Sequence, residues 1–410
     1  MTSRQASIVF SPCSIGGLEI KNRLVRSATY ENAADHNGEV TPELVDLYRN
    51  LAQGGAGLII TGIVSVMGSG HFPHQTMRID DDHYITGLKR ITEAVHGLNN
   101  GCKIMLQLHH PGRQIISAED GANLLPYLTP ARLAAIQREG AAPEPEVIPT
   151  PEPVAPSALP DALFGRTPRA LSPEEIQEII QAFAEGIGRA QKAGFDGVQL
   201  HAAHGWLLSS FLSPHTNKRE DQYGGSTENR TRIIREIYEQ GRPKVSPDFP
   251  ILIKMNTTDF FPDGTFPEEA ADVVRILDKT GFSAFETSGG MWETVTRGSD
   301  NLGWPAFMLP ESRTGIKNKD QEAYFLAGAQ AVKAVTDKPV LLVGGNKSFA
   351  RMEEILASGQ VDFVSMARPL IRQPNLPDLF LSGQTDKADC ISCNACVGRA
   401  PLSCAALKDN

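Results

Sequence analysis

Residues 172–206 read SPEEIQEIIQAFAEGIGRAQKAGFDGVQLHAAHGW. From Ile176 the apolar residues recur at Ile179, Ile180, Phe183 and Ile187, the three-and-four spacing that gives a helix one buried stripe. Ser172, Pro173 and Glu175 form a capping box with proline in the first turn, and Gly194 closes the element. GVQLHAA, at 197–203, is then a short apolar run that ends polar, as a strand inside a parallel sheet does. A helix feeding a buried strand is part of a βα unit. The strand half of that unit recurs at 22–29, 56–62, 103–110, 250–257, 283–290, 339–345 and 363–369, which makes eight. Eight βα units predict a (β/α)8 TIM barrel, a fold whose chemistry gathers at the C-terminal ends of its strands.

The chain has 410 residues, 39 basic against 48 acidic, for a net charge of −9. With no long basic run, this balance leaves no electrostatic footprint for nucleic acid or an anionic membrane. The N-terminus lacks the pattern of a signal peptide and no 18 consecutive residues are apolar, so a cytoplasmic location is the default expectation. A barrel of this type needs about 250 residues. The surplus falls at about 118–170, where GAAPEPEVIPTPEPVAPSALPD should be extended or loosely ordered over the mouth after the third strand, either as a plain surface insertion or as a substrate lid. The reading is therefore a barrel over 1–383, insertion included, followed by a cysteine-rich tail over 384–410. Cys390, Cys393, Cys396 and Cys404 crowd that tail in a distribution unlike a disulfide framework, suggesting a metal or cluster site or its relic.

The polar residues at strand ends are the candidates for function. Gln107 ends the third strand, His201 and His204 the fourth, and Lys254 the fifth. Ser288 to Gly290, Gly344 to Asn346, and Ala367 with Arg368 follow the last three. Glycine turns after strands seven and eight, with Arg368 beside them, are the usual phosphate seat of such barrels, although a tight turn alone would also use glycine. Two histidines at i and i+3 also suit zinc, but the sequence places no third ligand with them.

NR at 22–23 with SAT, QLHHPGR (107–113), HAAHGWLLSSFLSP (201–214) and DQYGGSTENRTRIIREI (221–237) resemble the Old Yellow Enzyme family of FMN-dependent ene-reductases, over about residues 8–383. The likeness leans toward the NADH:flavin oxidoreductase and the 2-enoate or 2,4-dienoyl-CoA reductase branches. The resemblance implies an FMN across the barrel mouth and NAD(P)H as co-substrate. Ala28, Thr29 and Tyr30 would line the flavin, Gln107 would bond its pyrimidine edge, and Lys254 would sit near N1 and O2. Gly344, Gly345, Ala367 and Arg368 would hold the phosphate, with Gly62 and Gly289 completing the cofactor set. A cation near N1 stabilises the anionic reduced flavin.

By the same resemblance His201 and His204 would be the catalytic pair, donating two hydrogen bonds to a substrate carbonyl so that its β-carbon accepts hydride. Trp206 stands where the family usually has a proton-donating tyrosine. An indole N–H has no accessible acidity, so Trp206 is expected to shape the substrate pocket. Tyr30, also in that pocket, departs from the usual threonine, cysteine or histidine and is expected to tune the flavin or pack. DQYGGSTENR reads as scaffold, with Ser226 capping a helix and Arg230 in a buried ion pair.

DCISCNACVGRAPLSC resembles the [4Fe–4S] segment of the dienoyl-CoA reductase branch, with shorter gaps. Zinc or no metal at all are the other occupancies, and the sequence ends at Asn410 without a second flavin or pyridine-nucleotide domain to feed a cluster. The leading expectation is thus a ping-pong FMN oxidoreductase acting on the C=C bond of α,β-unsaturated carbonyl compounds. The runners-up are electron transfer to oxygen or a quinone, or desaturation of a specialised metabolite. A metal hydrolase or flavin-free binding barrel comes third. A small-molecule substrate is the expected partner, and a homo-oligomer remains open.

Overall fold

The computed structural model describes residues 3–73, 75–116, 124–139 and 150–406. Its centre is eight parallel strands: β1 Leu24–Arg26, β2 Leu58–Ser65, β3 Lys103–His109, β4 Gly197–Ala202, β5 Ile251–Asn256, β6 Phe285–Ser288, β7 Val340–Leu342 and β8 Phe363–Met366. Each pairs with the next, and β8 pairs back to β1 through Val364↔Leu24, which closes the barrel. Short Met77–Arg78 adds to the end of β2. All eight expected strands are present, most of them shorter than the sequence suggested. The eighth, expected to 369, stops at Met366 because Arg368–Arg372 has already turned into a helix with Pro369 at its start.

The outer ring comprises α1 Pro42–Gln53, α2 Tyr84–His96, α3 Pro173–Lys192, α4 Arg232–Gly241, α5 Pro267–Thr280, α6 Leu326–Lys333, α7 Phe349–Ala357 and α8 Leu376–Ser382. The α3 helix forms as its sequence dictates. Ser172 Oγ accepts from Glu175 N, the Glu175 carboxylate accepts from Ser172 N, and Ile176, Ile180, Phe183 and Ile187 are fully buried against the sheet.

Period-two alternation along the strands decides what fills the barrel. Val25, Leu58, Ile60, Met105, Leu252, Ala284, Leu341 and Phe363 make one apolar interior cluster, joined by Ile15 and Ile20 of the antiparallel hairpin Cys13–Ile15/Leu18–Ile20. That hairpin plugs the N-terminal end. Two residues further along the same strands the interior positions turn polar, as Ser27, Gln107, Lys254, Glu286 and Ser365, all buried. The barrel therefore passes from oil to hydrogen bonds on the way to its C-terminal mouth.

The insertion is more structured than its proline content suggests. It contains a helix at Pro130–Glu139, and Val154–Ala155 pairs with Arg169–Ala170. Leu133 and Ala135 follow Pro130, which sits where a missing N–H costs nothing, so the helix starts at that proline. Residues 140–149, the proline-rich run's first part, lie outside the described residues.

Candidate active site

A cavity of about 570 Å³ opens at the C-terminal mouth. Its wall brings together Ala28, Thr29, Tyr30, Gln107, His201, His204, Trp206, Lys254, Gly344, Gly345, Ala367 and Arg368, twelve positions singled out in the sequence. Gly62 and Gly289 are not part of the wall. Gly62 N donates to Glu31 Oε1 at 2.5 Å, and a Cβ there would sit 2.0 Å from the Glu31 carboxylate. A Cβ on Gly289 would meet the Phe325 ring at 2.7 Å and the Thr258 carbonyl at 2.9 Å. Both are glycine because the protein behind the strands leaves no room. Gly62→Ala should therefore destabilise the fold by about 1–3 kcal/mol through overpacking. The check is urea denaturation: a lowered midpoint with unchanged FMN content in the folded fraction fits this role, and selective loss of FMN does not.

The floor is a closed polar network. Gln107 Nε2 donates to Gln199 Oε1 (2.7 Å), Gln199 Nε2 donates to Glu286 Oε2 (3.0 Å), and Ser27 Oγ donates to Glu286 Oε1 (2.8 Å). Lys254 Nζ donates to Ser27 Oγ (2.9 Å) and lies 3.5 Å from Glu286 Oε2. A carboxylate with no exposed surface is tolerable here because a cation and two donors surround it.

Above this floor stand the histidines. His201 Nε2 and His204 Nδ1 face each other 3.2 Å apart. His204 Nε2 is 2.7 Å from Ser288 Oγ, and His201 Nδ1 is 3.2 Å from His109 Nδ1. Burial, joined by the positive charge of Lys254, holds His201 and His204 well below the ordinary imidazole range, so each is neutral with one donor N–H. His204 has φ +64°, unusual for a side chain of this size, and is pinned by its backbone N–H to Asn256 Oδ1 at 3.0 Å. His109 supplies the third imidazole that the sequence did not place. His109 Nε2 is buried without a hydrogen-bond partner, and among the described residues no group of His, Cys, Asp or Glu is arranged to hold a metal ion.

Trp206 N-caps the short helix Leu207–Leu212 and lies edge-on to Trp292 (4.9 Å between rings) and His109 (4.6 Å). It is a wall of the pocket, as expected. The Tyr30 hydroxyl donates to Asn32 Oδ1 at 2.7 Å, and burial raises its pKa far above that of a free phenol. A hydroxyl so engaged favours packing or tuning over acid catalysis. In the loop after β6 another acid lines the wall: burial lifts the Glu311 carboxyl to about 7 against the pull of Lys254 and Arg368.

At the β7 and β8 end, Asn346 Oδ1 and Ser365 Oγ are buried without a partner, next to Arg368 and Lys347 in the same wall. Gly344 and Gly345 adopt φ +124° and +75°, and Cβ atoms there would strike Tyr324 and Phe325. Their glycine character thus serves the turn and the packing behind it, while their backbone lines the cavity. Orphaned polar atoms, two cations and a turn that lines the cavity fit a phosphate. Together with Lys254 and the Gln107 amide, they fit FMN.

The cysteine tail folds against the mouth of the barrel. Ser392 and Asn394 turn through the left-handed region, Asn394 Oδ1 accepts from Arg368 at 2.6 Å, and Thr129 of the insertion donates to the Cys393 carbonyl at 2.8 Å. This folding sends Cys396 to the cavity wall, where burial pushes its thiol to about 11, and sets Cys404 beside Arg372. All four are free thiols, the charges of Cys390, Cys393 and Cys404 act on Cys396, and among the described residues no group of three or more His, Cys, Asp or Glu is arranged to hold a metal ion. DQYGGSTENR is scaffold as expected: Ser226 Oγ caps Thr227–Arg230, and buried Arg230 pairs with Glu269.

Two further residues escaped the sequence. Arg113, 4% exposed, bridges Asp161 of the insertion and Glu293 of the β6 loop, both at 3.1 Å. His215 lies 2.8 Å from Asp263 and 3.8 Å from Glu293. Burial lowers the His215 pKa, but these carboxylates more than offset it and hold it above 6.5. A raised histidine stabilises the fold below its unfolded pKa and loses that contribution as pH rises through the folded value. The gap in unfolding free energy between wild type and His215→Gln should accordingly be larger at pH 6 than at pH 9; equal gaps would contradict it.

A parallel barrel whose mouth joins two neutral donors, a buried lysine and a phosphate seat defines a flavin-type oxidoreductase site. Residues 8–386 match the model of the NADH:flavin oxidoreductase / NADH oxidase family, and the chain belongs to that family. Membership of that family makes FMN the cofactor expected at this mouth. The chain is 35% identical over 393 residues to an NADH oxidase of Thermoanaerobacter brockii, covering 95% of this chain and 53% of that one. It is 32% identical to an NADPH dehydrogenase of a Geobacillus species, covering 90% and 93%. Among solved structures, 2-naphthoyl-CoA reductase superposes with a TM-score of 0.78 at 26% identity, covering 96% of this chain and 54% of that one. Morphinone reductase gives 0.67 at 26%, covering 94% and 92%. The chain spans about half the length of the T. brockii enzyme and of a similar metal reductase of Desulforamulus reducens. Among the described residues no helix is long and apolar enough to cross a membrane.

Proposed function

We propose that the protein transfers hydride from NAD(P)H, by way of FMN, to the β-carbon of an α,β-unsaturated carbonyl compound. The observation that carries this reading is the convergence of His201 Nε2 and His204 Nδ1, 3.2 Å apart in the cavity wall. An oxygen bridging that gap accepts from both. FMN, when bound, supplies the two-electron hydride chemistry. Everything else falls to the chain.

For His201 to donate from Nε2, its Nδ1 must accept, and the group facing it is His109. For His204 to donate from Nδ1, Nε2 must accept, and Ser288 Oγ–H faces it. Both imidazoles are neutral, so the bound carbonyl meets hydrogen-bond donors and not a strong acid. Two such bonds draw electron density from the conjugated double bond and stabilise the enolate that forms as hydride arrives. Trp206, Trp292 and Phe72 close one side of the cavity and exclude water from that charge.

The α-carbon still needs a proton. Trp206 offers none, and the Tyr30 hydroxyl is tied to Asn32. Slow protonation favours a second reading, in which the reduced enzyme passes its electrons to oxygen or a quinone. Anaerobic mixing of reduced enzyme with enones, and separately with quinones, decides between them. Saturated product supports the first reading; oxidation by quinones alone supports the second.

A further inference from the structure

The floor network has a direction. Each hydrogen bond in it, from Gln107 through Gln199 and from Lys254 through Ser27, points its donor toward Glu286, and neither glutamate oxygen is left without a donor. Ser27, Gln199 and Glu286 have no exposed surface, Gln107 has 1% and Lys254 has 3%. Glu286 and Lys254 are cross-strand neighbours in register on β6 and β5, so their spacing is set by the barrel and not by a flexible loop. Glu286 does not itself line the cavity, whereas Gln107, Lys254 and Ser27 do.

From this arrangement we infer that Glu286 is a positioning residue that tunes the bound flavin: it neutralises Lys254 from below and aims the Gln107 amide through Gln199. The inference rests on FMN occupying the mouth, and not on the choice of electron acceptor.

An ammonium alone under the cofactor favours its reduced, negatively charged form over the oxidised form. A carboxylate 3.5 Å behind that ammonium cancels most of its field at the flavin. The site as built therefore holds the reduced form less tightly than an isolated lysine would, which leaves the enzyme a better hydride donor. Glutamine at 286 keeps the shape and one acceptor but removes the charge. Methionine at 254 removes the cation and leaves the carboxylate unopposed. The two changes must move the flavin in opposite directions, and a purely structural role predicts no such opposition.

The test is spectroelectrochemical titration of the FMN-loaded protein, wild type against Glu286→Gln, Lys254→Met and the double variant. Glu286→Gln should raise the affinity for reduced over oxidised FMN by at least about tenfold, a shift of about +30 mV for a two-electron couple. Lys254→Met should shift it the other way by a similar factor. The double variant, again neutral, should return to within about threefold of wild type. If Glu286→Gln does not fold, Glu286→Asp draws the carboxylate back from Lys254 and should move the potential in the same positive direction by a smaller factor. A ratio unchanged within twofold in the folded Glu286 variant, or a shift of the same sign in both single variants, overturns the inference.

Discussion

Replacing His201 by alanine is expected to lower kcat for the best enone by about 10²- to 10³-fold, the usual effect of removing one preorganised donor from an oxyanion site. The loss should sit in the oxidative half-reaction, because the role proposed for the histidine is to bond the carbonyl and not the cofactor. Titration of the oxidised, FMN-loaded variant with a phenol should show binding weakened by a comparable factor. His204→Ala should behave alike, with an added fall in stability, since the His204 ring also engages Ser288. Steady-state turnover of either variant within a few-fold of wild type would remove the pair from the mechanism.

The second large effect concerns the roof. Arg113 is buried between two carboxylates, Asp161 and Glu293, whose side chains are 5% and 8% exposed. Asp161 lies in the insertion, so one guanidinium ties residues 150–166 to the loops after β3 and β6. Arg113→Ala strips the cation and leaves two buried carboxylates facing each other, a change that costs about 3–5 kcal/mol when one partner of a buried pair is lost. The expected result is a clear drop in the denaturation midpoint together with new protease cleavage between residues 150 and 166. An unfolding free energy within about 0.5 kcal/mol of wild type would show that the bridge contributes nothing. A companion Asp161→Asn, Glu293→Gln variant on the Arg113→Ala background should recover part of the loss, because the repulsion is then gone.

The barrel was legible because its eight strands are short Val, Ile and Leu runs separated by amphipathic helices, and a buried parallel strand can hardly be written otherwise. The α3 capping box was legible residue by residue, since Ser172, Pro173 and Glu175 act on neighbours three positions away. Strand ends were read less well where polar residues continued the apolar run. Gly62 and Gly289 do not line the cavity, because a strand-end glycine can face the mouth or the protein behind it, and the Glu31 and Phe325 side chains they pack against come from elsewhere in the chain.

The residues that escaped notice share one property: their partners are distant in sequence. Glu286 meets Lys254 and Ser27, and Arg113 meets Asp161 and Glu293, only after the barrel has closed. One signal was available for the floor. Stepping two residues from the interior apolar layer lands on Ser27, Gln107, Lys254, Glu286 and Ser365, and polar residues at that register mark the base of the mouth. For the cysteine tail, spacing suggested ligands, while the Asn394 contact to Arg368, which brings the segment to the cavity wall, left no mark in the sequence.

The most direct test of the central claim, that paired neutral imidazoles present an unsaturated carbonyl to reduced FMN, is a rapid-mixing experiment without oxygen. FMN-loaded protein reduced by one equivalent of NADH or NADPH is mixed with a cyclic enone, and flavin absorbance and product are followed together. Reoxidation that accelerates with enone concentration, yields the saturated ketone and is slowed at least about 100-fold by His201→Ala is the predicted result. Reduced flavin that persists against every enone, yet reoxidises promptly with a quinone, would contradict it.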